Sequence, residues 1–221
     1  MRLGMSIESK TDYADNWVDR AFIWLFSRKM AIAVGQGTQV PGYEGFVELS
    51  RQIMRGRNAD QQQQVVAIVL KSLVPGPVLY MIRTVFSPTR LVCELNAWFA
   101  ARLFEWLVGP CEVREVDIPD AQGRSHLQRS GVHIKKCRYL ESSGCVGMCV
   151  NMCKLPTQTF FTQDFGIPLT MTPNFDDLSC EMVFGQEPPS LDVDPVYQEA
   201  CLVTECSMAS PQASTCPKLL N

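Results

Sequence analysis

Two histidines in 221 residues, His126 and His133, leave almost no material for a His-based triad or a three-histidine zinc site. No GxSxG, GxxxxGKS/T or HExxH occurs, so nucleophile-elbow, phosphate-loop and zincin chemistries have no footing. Long apolar runs are missing too. The longest stretch without a charge, Met30 to Tyr43, has 14 residues and is broken by three glycines and Pro41. A spanning helix needs about 20 predominantly apolar residues, so a helical integral membrane protein is not expected. Concentrated basic charge is also absent. Residues 1–110 hold 12 basic and 9 acidic groups and residues 111–221 hold 8 and 14, with no basic stripe in either half, which argues against a nucleic-acid partner. The start, Met1 to Trp17, has no apolar signal core and carries Glu8, Asp12 and Asp15. Hydrophobic residues make up 46% and charged residues 19%, the balance of a globular chain of one or two domains.

The chain reads in two parts. After Asp15 or Asn16 as N-cap, Trp17, Ala21, Trp24, Leu25 and Ile32 recur near helical spacing until Gly35. Further helices are predicted over 43–57, from Asp60 to the Pro75-Gly76-Pro77 break, and over 78–86. A last one starts with Ser87 as N-cap and Pro88 at the first helical position. Its Leu95, Trp98, Phe99, Leu103, Trp106 and Leu107 follow the i, i+3, i+4 pattern up to Gly109-Pro110 and give the first half an aromatic face, for which core packing is the default role. Composition then changes. Residues 112–118 and 130–139 read as strands around a turn at Asp120–Arg124, helical spacing suits 144–154 and 156–165, and 170–171 and 180–184 are short strands. The class expected is α+β, an N-terminal helical layer packed on a small Cys-rich C-terminal α/β region with short strands. Its parts are an unstructured start over 1–12, a helical region over 13–110, a Cys-rich region over 111–189 and a Pro/Ser/Cys-rich tail over 190–221, together one composite domain.

Ten cysteines are the strongest feature, and eight of them lie in the last 85 residues. With no secretory signal in view, metal chemistry in a reducing compartment is expected ahead of disulfides. Cys145, Cys149 and Cys153 are spaced by four. On an α-helix of about 3.6 residues per turn each step rotates about 40°, so the three thiols share one face, within reach of one metal centre. Thiolates select zinc, copper(I) or iron–sulfur clusters, and the spacing matches neither a zinc ribbon nor the bacterial ferredoxin run. A fourth ligand must come from elsewhere, with Cys180, Cys137 and His133 as candidates. The bland alternative is a face of small buried hydrophobes. Cys201, Cys206 and Cys216 in the tail form either a second clip or exposed thiols.

The run RSGVHIKKCRYLESSGCVGMCVNMCKLPTQTFFTQDFGIPLTMTPNFDDLSCEMVFGQEPP, Arg129 to Pro189, together with GYEGFVELSRQIMRGR and WLVGPCEV upstream, resembles the plant plastid beta-carotene isomerase family of strigolactone biosynthesis. The resemblance covers the chain from Tyr13 to Cys216. It implies an iron-dependent cis–trans isomerase that interconverts all-trans- and 9-cis-beta-carotene in the plastid. Carried over, the iron motif falls on Cys145, Cys149 and Cys153, with Cys180 as preferred fourth ligand and no catalytic acid or base assigned. It implies a carotenoid substrate with peripheral contact to the plastid membrane, and a transit peptide ahead of Tyr13 that this chain lacks or carries cut short. Moving one electron to or from a polyene weakens its double bonds where acid–base groups act poorly, which suits an iron centre. The readings set against it are a non-enzymatic plastid protein stapled by structural zinc and an iron–sulfur electron carrier.

Overall fold

The computed structural model describes residues 10–119, 124–202 and 215–219; Cys206, most of the turn expected at Asp120–Arg124 and nearly all of the start expected to be unstructured lie outside them. Local capping sets the helical half. The Asn16 side chain accepts from the N–H groups of Val18 and Asp19, and Asp19 accepts from Asn16 in return, starting α1 (Trp17–Val34) with a reciprocal cap. Gly35 ends α1 in the left-handed region. After α2 (Gly42–Met54), Asn58 and Gln61 repeat the same cap at α3 (Ala59–Leu73). Pro75 leads into α4 (Gly76–Val85). The next helix, α5 (Arg90–Leu103), begins later than expected, because the Thr89 hydroxyl and not Ser87 accepts from the N–H of Val92. The single helix expected up to 108 breaks at Phe104, and α6 (Glu105–Val108) follows.

The expected apolar rows of α1 and α5 are only partly turned inward: Trp106 is buried and Leu25, Leu103 and Leu107 are half-buried, while the other large members face out. Ile23 and Met30 are the buried residues of α1, and its Phe22 and Phe26 pack on Trp106, with ring centroids 6.1 and 4.9 Å away. Trp17, Trp24 and Ile32 face solvent. In α5 the small residues Cys93, Ala97, Ala100 and Ala101 are buried, while Leu95, Trp98 and Phe99 are exposed. Close packing of α5 on the sheet admits short side chains and leaves no room for a row of rings.

The sheet is antiparallel throughout, in the order β1 (Cys111–Pro119), β2 (Ser125–Ile134), β4 (Cys180–Phe184), β3 (Leu169–Pro173). At the irregularity between Arg114 and Val116, a Cβ on Gly131 would meet the Val116 side chain at 2.6 Å, so only glycine lets β1 and β2 close there. Strand β2 starts earlier than expected and stops at Ile134, because α7 (Arg138–Ser143) takes the residues after it. Between sheet and helices runs a mixed helix. It passes from α8 (Val146–Met148) through a π-helical stretch (Cys149–Lys154), α9 (Leu155–Thr159) and a second π stretch (Phe160–Phe165), and ends at left-handed Gly166. Pro156 lacks an N–H and crowds the carbonyl four residues back, which the wider π turn ahead of it accommodates. Almost every residue of the first π stretch is buried, as befits a helix covered on all sides. The described tail is not a loose end: Val196, Cys201, Cys216 and Leu219 are buried, so neither thiol is exposed. The helical layer and the small antiparallel sheet make an α+β fold.

Candidate functional site

The β2–β4 ladder fixes the first two thiols. Ile134 pairs with Cys180, and beyond the end of β2 the Cys137 N–H donates to the carbonyl of Leu178 at 2.7 Å. Leu178 has φ +62°, a left-handed backbone that a leucine adopts at a cost, and it sits two residues before Cys180. The mixed helix supplies the other two. Cys149 and Cys153 lie in its first π stretch, where a step of four falls short of a full turn, unlike on an α-helix. Cys137, Cys149, Cys153 and Cys180 line one cavity of about 10 Å³ with Tyr139, Lys154 and Met171.

Cys145 is not brought to that cavity. It is the N-cap of α8, in extended backbone, with its carbonyl accepting from the Cys149 N–H. His133 is not brought there either, because its ring bonds Glu181 at 2.5 Å across β2 and β4. Cys137, offered by the sequence only as an alternative, is the thiol the fold adds. No disulfide joins any two described cysteines.

Burial dominates the electrostatics. It pushes the Cys137 thiol up to about 11 and Cys153 to about 12, and it raises Cys149 and Cys180 well above the ordinary thiol value, with the neighbouring thiols adding to each of the last three. One cation works against this at Cys149 and Cys180. Lys154 is buried, donates to the Met171 carbonyl at 2.7 Å and pairs with buried Asp194 at 2.7 Å. Sequence reasoning missed Lys154 and Asp194, because a lysine beside Cys153 and an aspartate 40 residues on carry no periodic signal that joins them. A buried lysine is rare unless paired, and this pair ties the tail to the thiol cavity.

The folded thiols keep their protons to a higher pH than the unfolded chain does. In reduced, metal-free protein the stability tied to these protonated thiols is therefore complete below about pH 9 and falls as pH rises, through about 11 for Cys137 and about 12 for Cys153, with Cys149 and Cys180 acting in the same direction. Each thiol contributes a slope of up to about 1.4 kcal/mol per pH unit over that range. Urea midpoints measured from pH 8 to pH 10 should drop steeply past 9, and a flat profile would contradict this burial.

Beyond the thiols lies an apolar cleft of about 320 Å³ between α1, α3, α5, the sheet and the second π stretch. Its walls include Phe22, Phe26, Phe99, Phe160, Phe161 and Phe165, with Asn96 and Thr157 as polar exceptions. Cys153 lines both the cleft and the thiol cavity, and Val108 and Met171 complete the shared wall. The volume lies in the range of small-molecule sites and the lining suits a hydrocarbon.

For a thiolate-bound iron the donors fit in kind: four sulfurs line one cavity. As the side chains stand, no group of three or more His, Cys, Asp or Glu among the described residues is disposed to hold a metal ion. Loading requires the thiols to lose their protons and turn inward.

A family model described as beta-carotene isomerase D27-like, C-terminal, matches residues 106–193. The chain is 42% identical over 204 residues to beta-carotene isomerase D27, chloroplastic, from Medicago truncatula, an overlap covering 92% of this chain and 79% of that protein. It is 35% identical over 202 residues to the protein of the same name from Arabidopsis thaliana, covering 90% and 75%. No solved structure matches.

Proposed function

The chain belongs to the beta-carotene isomerase D27-like family, and on that premise we propose that it is a plastid isomerase interconverting all-trans- and 9-cis-beta-carotene, an early step toward strigolactones. One observation carries the reading to this chain's own residues: an apolar cleft of about 320 Å³ whose wall is shared, at Cys153, with a cavity lined by four thiols. The Phe160, Phe161 and Phe165 cluster, with centroids 5.2–6.1 Å apart, presents ring faces and edges to a polyene and excludes water. An unactivated hydrocarbon offers no group for hydrogen bonding, so shape and burial position it, with its reacting bond beside Cys153.

The cofactor proposed is a single iron. The residues that would hold it are Cys149, Cys153 and Cys180, with Cys137 taking the place that spacing gave to Cys145. When bound there, iron supplies reversible one-electron exchange, which lowers the order of a conjugated double bond where acids and bases act poorly. The protein's share is to keep that centre dry, to offset thiolate charge with Lys154, and to seat the polyene against it. The substrate is lipid-dissolved, and peripheral contact with plastid membranes is part of this reading; no single described helix is long and apolar enough to cross a membrane, while the bent pair α3–α4 passes by length and composition alone.

Purified anaerobically, the chain should carry about one iron and should convert all-trans-beta-carotene in detergent micelles to the 9-cis isomer, resolved by chromatography. Cys149→Ser with Cys180→Ser should lose most of the iron; full retention would remove the ligand assignment. Unchanged all-trans substrate with the iron-loaded chain would remove the isomerase reading. Filling the cleft with Ala100→Phe should cost about 1–3 kcal/mol of stability and at least about tenfold in turnover, with the iron retained.

A further inference from the structure

Helix α5 carries an apolar stripe on the side away from the sheet. Leu91, Leu95, Trp98 and Phe99 recur at helical spacing, and each is more than half exposed. The preceding helix, α4, buries none of its residues, and Val85 and Phe86 continue the exposed apolar surface toward α5. Scattered exposed apolar residues are ordinary, whereas a contiguous stripe rimmed by charge marks an interaction surface.

The rim is basic. Over residues 71–102 the charges are Lys71, Arg83, Arg90 and Arg102 against Glu94, in a chain whose net charge is −3; Lys71 is paired with Asp164 at 3.2 Å, so the charge of the rim rests on Arg83 and Arg102. Glu94 is itself engaged by Arg90 at 2.8 Å and by the Arg129 N–H at 3.1 Å. Phe99 belongs to two surfaces at once, since it is exposed and also lines the cleft. The stripe therefore runs up to the mouth of the cleft.

Rings and aliphatic side chains along one helix face with arginines beside them are the pattern of a helix lying in a bilayer interface. We propose that the α4–α5 face is a membrane-docking surface that seats on a bilayer containing anionic headgroups. Trp98 and Leu95 enter the acyl boundary, Arg83 and Arg102 meet the headgroups, and Phe99 holds the cleft mouth against lipid. A polyene then passes from acyl chains to cleft without crossing water. The cargo rests on the function proposed above; the docking itself does not.

The test uses pigment-free vesicles and flotation. The reduced full chain should bind vesicles of phosphatidylcholine mixed with phosphatidylglycerol, bind phosphatidylcholine alone less, and release as salt rises. Leu95→Glu with Trp98→Glu should lower the bound fraction at least about tenfold, with circular dichroism and micelle turnover unchanged. Arg83→Glu with Arg102→Glu should weaken binding to the anionic vesicles alone. Three results would overturn the proposal: no binding to the mixed vesicles, equal binding by the Leu95/Trp98 variant, or a lipid-free dimer that this variant dissolves, which would make the stripe a contact between copies. Vesicle binding without turnover in micelles would strike the isomerase reading and leave the surface standing.

Discussion

Replacing Cys153 by serine lowers isomerase turnover by about 10–100-fold, the scale on which disturbing the groups that organise a metal acts. Cys153 is singled out because it lines the thiol cavity, the apolar cleft and a third small cavity under Phe46 and Tyr139. Serine keeps the shape to within a fraction of an ångström and removes the soft donor, so the fold and carotenoid binding remain. The control is Cys93→Ala. Cys93 is also buried, but on α5 against Gly185 and Gln128. Its loss costs a little stability and no turnover. Carotenoid absorption measured with both variants separates binding from chemistry, and equal losses of turnover would mean that packing and not the shared wall sets activity.

Lys154→Met destabilises the chain by about 3–5 kcal/mol, because Asp194 is then left buried without its cation. Urea unfolding should show the loss, and Asp194→Leu added to it should restore most of the stability, since two apolar groups carry no unpaired charge. The restored double variant should still turn over more slowly than the parent, because the cation beside Cys149 and Cys180 is gone. If the double variant were both stable and fully active, the pair would be structural only. A double variant as unstable as the single one would show that Asp194 does not carry the cost.

The parts of this fold legible in the sequence are the local ones. Asn16 and Asn58 announce their helices through caps completed within three residues, and Gly35 closes α1 in the same short range. The change to a cysteine-rich sheet region is visible in composition. Periodicity found the apolar rows of α1 and α5 but placed inward some members that face out, Trp17, Trp24, Leu95 and Trp98 among them. Both helices have two such rows, and which one is buried depends on how closely the sheet approaches, a tertiary fact. Of the candidate site, Cys149, Cys153 and Cys180 line one cavity, while Cys145 lies outside it, because it precedes the helix in extended backbone where the spacing of four assumed an α-helix. Cys137 enters through the end of a strand ladder, and Lys154 through a partner on the tail; neither leaves a pattern in the chain. The apolar cleft is assembled from α1, α3, α5 and the second π stretch, so no single segment discloses it.

The most direct measurement follows the isomer ratio over time from both pure starting points, all-trans- and 9-cis-beta-carotene, with the purified iron-loaded chain in micelles and no added reductant. A reversible isomerase working in this cleft brings both reactions to the same final ratio, consumes no oxygen and conserves total carotene. Two different end points, or carotene lost with oxygen taken up, would contradict it.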